Sequence, residues 1–300
     1  MPELILDRVT KQFKNKIAVD AVSLQLTSGV YGFLGANGAG KTTLLRMLCG
    51  ILKPTAGEIS CNGIEIGTLD SEYRCMLGYL PQDFGYYPNF TARRYLEYLA
   101  SCKAVPNHLI RDKVCEMLEL VGLARTDRQK IRTFSGGMLR RLGMAQALLN
   151  DPEILILDEP TAGLDPKERI RFRNIISALS KGRIIILSTH IVSDVDFIAD
   201  EILLMKQGRM IGQGAASKIT ECMHGKVWEY LATPQEAAHI QASFAVSNLR
   251  NEGENIYLRI LSQSCPCDGA TPVAPGLEDV YLYYFEEVPE HVEHMETGNL

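Results

Sequence analysis

The order of apolar and polar positions divides the 300-residue chain into stretches of different texture. Near the N-terminus the apolar residues alternate, at Leu4 and Leu6 and again across Val22-Ser23-Leu24-Gln25-Leu26. Alternation of this kind predicts edge strands with one buried face. A continuous apolar run at 30–34 predicts a buried strand, followed by a glycine-rich turn and a helix over 42–49. Pro54 and Gly57 mark a turn before a short strand at 58–61. From about Thr91 to Asn150 the period changes to that of helices. Leu96 and Leu99, then Val114, Met117, Leu118 and Val121, form apolar stripes between charges, which reads as a helical insertion. Strand and helix then alternate again: apolar runs at 154–157 and 184–187, helices over 167–179 and from Ile191, and strands near 202–205 and 209–212. That alternation predicts an α/β fold with a parallel sheet covered on both faces. Beyond about Ser217, stretches 226–231 and 256–261, a short helix at 234–242 and an apolar segment at 277–285 suggest a small α+β appendage. The last residues, 286–300, are polar and acidic and read as a frayed tail.

Composition narrows the function classes. A net charge of −5 gives no support to a nucleic-acid partner, whose proteins carry a basic footprint. The densest apolar runs are far shorter than the roughly 18–20 residues a bilayer demands. Acidic residues sit at Glu3 and Asp7, where a secretory signal would be basic and then apolar, so a cytoplasmic chain is expected. The eight cysteines then read as reduced thiols, and Cys265-Pro266-Cys267 alone is weak evidence for a metal.

The chemistry concentrates in three short motifs. Gly35-Ala36-Asn37-Gly38-Ala39-Gly40-Lys41-Thr42 is a P-loop between an apolar strand and a helix. Its glycines let backbone N–H groups surround phosphate oxygens, Lys41 reaches the β- and γ-phosphates, and the hydroxyl of Thr42 suits Mg²⁺. Ile154-Leu155-Ile156-Leu157-Asp158-Glu159 is an apolar strand ending in two acids. Asp158 is the candidate metal holder and Glu159 the candidate general base. Phe134-Ser135-Gly136-Gly137-Met138 opens a second helix with a hydroxyl and free N–H groups, a second anion-binding end. One nucleotide does not need two such ends. The economical reading is that Ser135, Gly136 and Gly137 serve a nucleotide held by another protomer.

In these motifs and their order, over about residues 3–215, the sequence resembles the ATP-binding subunits of ABC (ATP-binding cassette) transporters. The resemblance implies a P-loop NTPase core of the RecA-like kind with an antiparallel β subdomain and a helical insertion at about 84–150. It places the ATPase domain at 1–215 and a small accessory region at 216–300. It makes Phe13 the aromatic that stacks on adenine and Gln82 a contact to Mg²⁺ and water. Thr43 joins the P-loop, Asp165 lies in the loop that crosses the dimer interface, and His190 grips the γ-phosphate. Taken singly, Phe13 reads as core, His190 as a structural histidine and Asp165 as a helix cap. Their joint order carries the resemblance. Phe134 and Met138 depart from the usual leucine and glutamine of the signature. Similar Met variants occur in ATPases paired with ABC-2-type export permeases of the multidrug and antibiotic-peptide groups.

The resemblance implies a Mg²⁺-dependent ATPase. It would work as a homo- or heterodimer with a separate permease, peripheral at the inner face of the cell membrane. The alternative is a soluble, non-transport ABC ATPase such as the iron–sulfur assembly type. Translation factors of this family carry two cassettes per chain, and the DNA-repair type inserts a long coiled coil between the positions of Lys41 and Ser135. A pure nucleotide-binding regulator is disfavoured because every catalytic position is filled.

Overall fold

The computed structural model describes residues 1–285, and the tail expected at 286–300 lies outside them. Strands β1 (Leu4–Phe13) and β2 (Lys16–Leu26) form an antiparallel hairpin with Leu4 opposite Leu26 and Leu6 opposite Leu24. The chain continues through β3 (Gly29–Leu34), α1 (Lys41–Leu48), β4 (Ala56–Cys61) and β5 (Ile64–Glu65). An antiparallel sheet of order β2-β1-β4-β5 results. Short helices α2 (Ile66–Leu69) and α3 (Ser71–Met76) lead into β6 (Leu77–Leu80). Helices α4 (Ala92–Cys102), α5 (Asn107–Leu120) and α6 (Gly136–Leu148) pack on one another. Then come β7 (Ile154–Asp158), α7 (Pro166–Leu179), β8 (Ile184–Thr189), α8 (Val192–Asp196), β9 (Glu201–Lys206) and β10 (Arg209–Gly214). The central sheet has the order β10-β9-β3-β8-β7-β6, with only β10 antiparallel to its neighbour.

Why the strands of this sheet read as unbroken apolar runs is visible in the packing. Successive side chains of a strand point to opposite faces. Ile154, Ile156, Ile184 and Ile186 enter one core with α1 and the antiparallel sheet. Leu155, Leu157, Ile185 and Leu187 enter the other, with α4 to α7. All four apolar residues of β7 are 0% exposed, and burying each contributes about 1.5–3 kcal/mol.

The C-terminal residues form a third sheet. Helix α9 (Ala216–Thr220) precedes β11 (Val227–Ala232), α10 (Pro234–Ser243), β12 (Ala245–Glu252), β13 (Asn255–Leu261), β14 (Thr271–Pro272) and α11 (Leu277–Phe285). The sheet order is β12-β13-β11-β14. Helix α10 starts at a capping box in which Thr233 and Glu236 satisfy each other's backbone N–H groups. It closes a small core over Leu258 and Ile260. Helix α11 instead turns back onto α8 and α9 of the main body.

Four features depart from the hydropathy pattern. Strand β6 is four residues long and contains Gly78, too short a run to mark itself. Strand β12 is unmarked because its side chains are polar, half-buried or, at Leu249, apolar but exposed. Strand β14 falls within the proline-rich stretch that reads as loop. The helix expected from Ile191 lasts five residues.

Gly32 lies in the middle of β3, where a strand glycine signals close approach. A Cβ there would stand 2.7 Å from Cβ of Val195 on α8 and 3.2 Å from that of Ala199. Gly32→Val is therefore expected to destabilise the fold by about 1–3 kcal/mol through overpacking. The urea midpoint checks this, and a parental midpoint would refute the close packing of α8 on β3.

Candidate functional site

Parallel α/β sheets expose their ligand sites at the carboxyl ends of the strands. Three registers align those ends here: Leu34 of β3 pairs with Thr189 of β8, Asp158 of β7 with Ser188 of β8, and Leu80 of β6 with Leu157 of β7. The P-loop after β3, Gln82 after β6, Glu159 just past β7 and His190 after β8 thereby converge. They surround a cleft of about 600 Å³ that also takes in Phe13, Asn37, Thr43 and Ala162.

The P-loop holds its shape through backbone that most residues cannot adopt. Gly40 has φ 109°, and a Cβ there would collide with the carbonyl of Ala18. Lys41 is 6% exposed and folds back on its own loop, donating to the carbonyls of Gly35 at 2.5 Å and Ala36 at 3.2 Å. Burial pushes the Lys41 ammonium below the ordinary lysine value, while Glu159 and then Asp158 pull it back up.

Asp158 is 1% exposed. One carboxylate oxygen, Oδ1, accepts from Ser188 Oγ at 2.6 Å and from Thr42 Oγ1 at 3.4 Å. The other, Oδ2, is buried and accepts no hydrogen bond from any described residue. An orphaned buried carboxylate oxygen on a residue that also accepts from the Thr42 hydroxyl is a hard-oxygen donor set, and it fits Mg²⁺.

Glu159 has φ 50°, a left-handed conformation unusual for a side chain of this size. Its N–H donates to the carbonyl and to Oγ of Ser188, at 3.1 and 3.2 Å, and its carbonyl accepts from Ala162 at 3.3 Å. The turned backbone brings Oε2 to 2.8 Å from Nδ1 of His190. Against a carboxylate the Nδ1 position carries the proton, which leaves Nε2 as the free face of the ring. His190 is 47% exposed at its side chain and Glu159 only 9%, so the pair reaches from the protein interior to the cleft.

Phe13 stands half exposed at the rim with Lys11 Nζ 5.3 Å from its ring centroid; it is not core. The signature residues lie elsewhere. Ser135 and Gly136 are exposed, Ser135 caps α6 by accepting from Met138 N–H at 3.2 Å, and neither Gly137 nor these two line the cleft. Asp165 is exposed and caps α7 by accepting from Glu168 N–H at 2.8 Å. Sequence reasoning missed Ser188, Thr161 and Asp194. Thr161 Oγ1 donates to Asp194 Oδ2 at 2.6 Å, and both side chains are buried. Thr161 two residues past the paired acids was the available signal; Asp194 had none.

Phosphate binding favours charged Lys41, whose pKa in the free site is lowered, so binding takes up a proton on the alkaline side. ATP affinity is expected to fall as pH rises through the lowered Lys41 value, approaching about tenfold per pH unit for one linked proton. Titration of a fluorescent ATP analogue checks this, with Lys41→Arg flattening the profile. An affinity independent of alkaline pH in the parent would sink the assignment.

Comparison with known proteins places this geometry. A protein-family profile described as ABC transporter matches residues 19–162. An uncharacterized ABC transporter ATP-binding protein of Nostoc is 41% identical over 68% of this chain, which spans 61% of that relative. Nod factor export ATP-binding protein I of Burkholderia pseudomallei is 38% identical, covering 73% of this chain and 72% of its own. Linearmycin resistance ATP-binding protein LnrL of Bacillus subtilis is 34% identical over 73% and 71% of the two chains. Among solved structures, the ATP-binding cassette MJ0796, a dimer in a post-hydrolysis state bound to ADP and Pi, is 28% identical with a TM-score of 0.65. That match covers 71% of this chain and 98% of the cassette. With a P-loop core, an ATP-sized cleft and these relatives, the chain belongs to the ATP-binding proteins of ABC transporters and is an ABC-type ATPase.

Proposed function

We propose that the protein works as a dimer whose ATP binding and hydrolysis drive a separate membrane permease, in the direction of export. The observation that carries the dimer is the separation of two phosphate-binding ends. The cleft holds the P-loop, Glu159 and His190, while the start of α6, with Ser135 and Gly136, is exposed and does not line it. A second protomer would supply its Ser135, Gly136 and Gly137 to this cleft, with Asp165 beside them. The export direction draws on the relatives named for Nod factor export and linearmycin resistance. Met138 is compatible with it, since the cap it contributes uses only its backbone N–H. No described helix is long and apolar enough to cross a membrane, so the path for cargo is assigned to the permease. Residues 1–215 would then be the ATPase domain, and 216–300 an accessory region.

In this reading each residue has one task. The P-loop N–H groups and Lys41 neutralise phosphate charge, and Phe13 stacks on the adenine. Thr42, Asp158 and Gln82 would hold Mg²⁺, which neutralises charge on the phosphates when bound. Glu159 accepts the proton of the attacking water, with its carboxylate aimed by the hydrogen bond to His190. His190 presents its Nε2 face toward the γ-phosphate. Little covalent chemistry falls to the protein; positioning and electrostatics carry the rate.

Glu159→Gln keeps the shape but loses the base, and turnover is expected to drop about 10²–10⁴-fold. An ATP-dependent dimer should accumulate in size-exclusion chromatography; hydrolysis at the parental rate would remove Glu159 from the role of base. Ser135→Arg should leave ATP binding to the isolated protomer intact while abolishing turnover, because the arginine obstructs the opposing cleft. Normal turnover in that variant would argue for a site complete within one chain. Coupling is tested by purification from membranes. A polytopic permease should accompany the protein, and its absence under conditions that preserve known transporter complexes would favour a non-transport ATPase.

A further inference from the structure

The C-terminal sheet is linked to α8, the helix that follows His190, through a buried carboxylate and the packing of α11. Asp279, in the first turn of α11, is 2% exposed and fully occupied. Its Oδ1 accepts from Ser247 Oγ at 2.6 Å and from Arg259 Nε at 3.0 Å. Its Oδ2 accepts from Arg259 Nη2 at 2.8 Å and from Gly276 N–H at 2.7 Å. Arg259 is itself tied to Glu229 of β11 at 3.0 Å. A bidentate arginine–carboxylate pair with its remaining sites filled fixes direction as well as distance. The start of α11 is thereby pinned to β11, β12 and β13.

From that pin α11 runs onto α8, and Leu277 and Val280 share a buried cluster with Val192 and Val195. Helix α8 is short and begins two residues after His190. Val195 also lies against Gly32 on β3, the strand that feeds the P-loop, where a Cβ would stand 2.7 Å from its own. Asp194 of α8 accepts from Thr161, two residues beyond Glu159. A five-residue helix makes too few internal hydrogen bonds to hold itself, so its position is set by what packs on it.

We propose that the C-terminal region is a positioning element for hydrolysis: the Arg259–Asp279 latch holds α11 on α8, and α8 sets both His190 and the Thr161 turn that carries Glu159. This rests on the reading of His190 and Glu159 given under Proposed function. Arg259, Asp279, Thr161 and Asp194 touch no nucleotide; they act through the two residues that do. The accessory region then has a defined output, since anything that strains its sheet is felt at the γ-phosphate end of the cleft and not at the adenine end.

The test uses the full chain with Asp279→Asn and Thr161→Val, both near-isosteric. Each should lower kcat about tenfold while KM for ATP stays within about twofold, and each should speed hydrogen exchange of the amides at 192–196. In a His190→Ala background, followed by single turnover, the loss from Asp279→Asn should shrink, because only the route through Thr161 and Glu159 then remains. Should Asp279→Asn fail to fold, Ser247→Ala removes the hydroxyl's bonds to Asp279 and to the Arg259 carbonyl but keeps the ion pair, and is expected to give a two- to threefold loss of kcat with the same change in exchange. Parental exchange at 192–196, parental kcat, or an undiminished loss in the His190→Ala background would overturn the proposal. Parental turnover of His190→Ala itself would overturn the reading of the site, and this one with it.

Discussion

The pairing of β7 with β8 is the interaction on which the rest of the cleft depends. Both faces of these strands are apolar, so the usual source of register, one buried face and one solvated face, is missing. Sliding β7 by one residue would exchange isoleucines for leucines and leave each core filled with apolar side chains. What breaks this degeneracy is polar. Ser188 hydrogen-bonds Asp158, and the Glu159 N–H returns to Ser188 at the strand ends. In a slipped register these buried groups would lose their partners, at a cost of about 1–3 kcal/mol each. The same hydrogen bonds that fix the sheet also fix the acids.

Fixing the acids has a local cost. Glue between strand end and turn forces Glu159 into left-handed backbone, worth of order 1–3 kcal/mol of strain. The strain is tolerated because Ser188 and Ala162 satisfy the backbone on either side. Without it the side chain would continue the alternation of the strand; with it the carboxylate meets His190. Lys41 is held in an equally prepared state, its ammonium resting on the carbonyls of its own loop.

The two remaining pieces of the molecule relate to this centre differently. The start of α6 offers an exposed cap that does not line the cleft of its own chain, the placement the proposed dimer requires. The C-terminal sheet offers a buried ionic latch and an apolar helix face that reach the segment after His190. In the proposed dimer one edge of the cleft would be completed by a second protomer, while the proposed brace would act from within the chain.

The sequence by itself determined the identity of the chemistry. Gly40 before Lys41, paired acids ending an apolar strand, and a serine–glycine–glycine cap are local patterns, and local patterns survive in a linear string because neighbouring residues make the contacts. It also marked most strands of the central sheet, since double burial writes itself as an unbroken apolar run. It did not mark β6, whose four residues carry too little signal, or the polar edge strand β12. Nor did it bring Ser188, Thr161 and Asp194 to the site. Ser188 lies 30 residues from Asp158, and Asp194 lies 33 from Thr161. Such partners are chosen by strand order and by which helix packs across the sheet, and those are properties of the folded chain alone. The engine was legible in the string; the bracing around it came only with tertiary structure, because hydrogen bonds between distant segments leave no period behind.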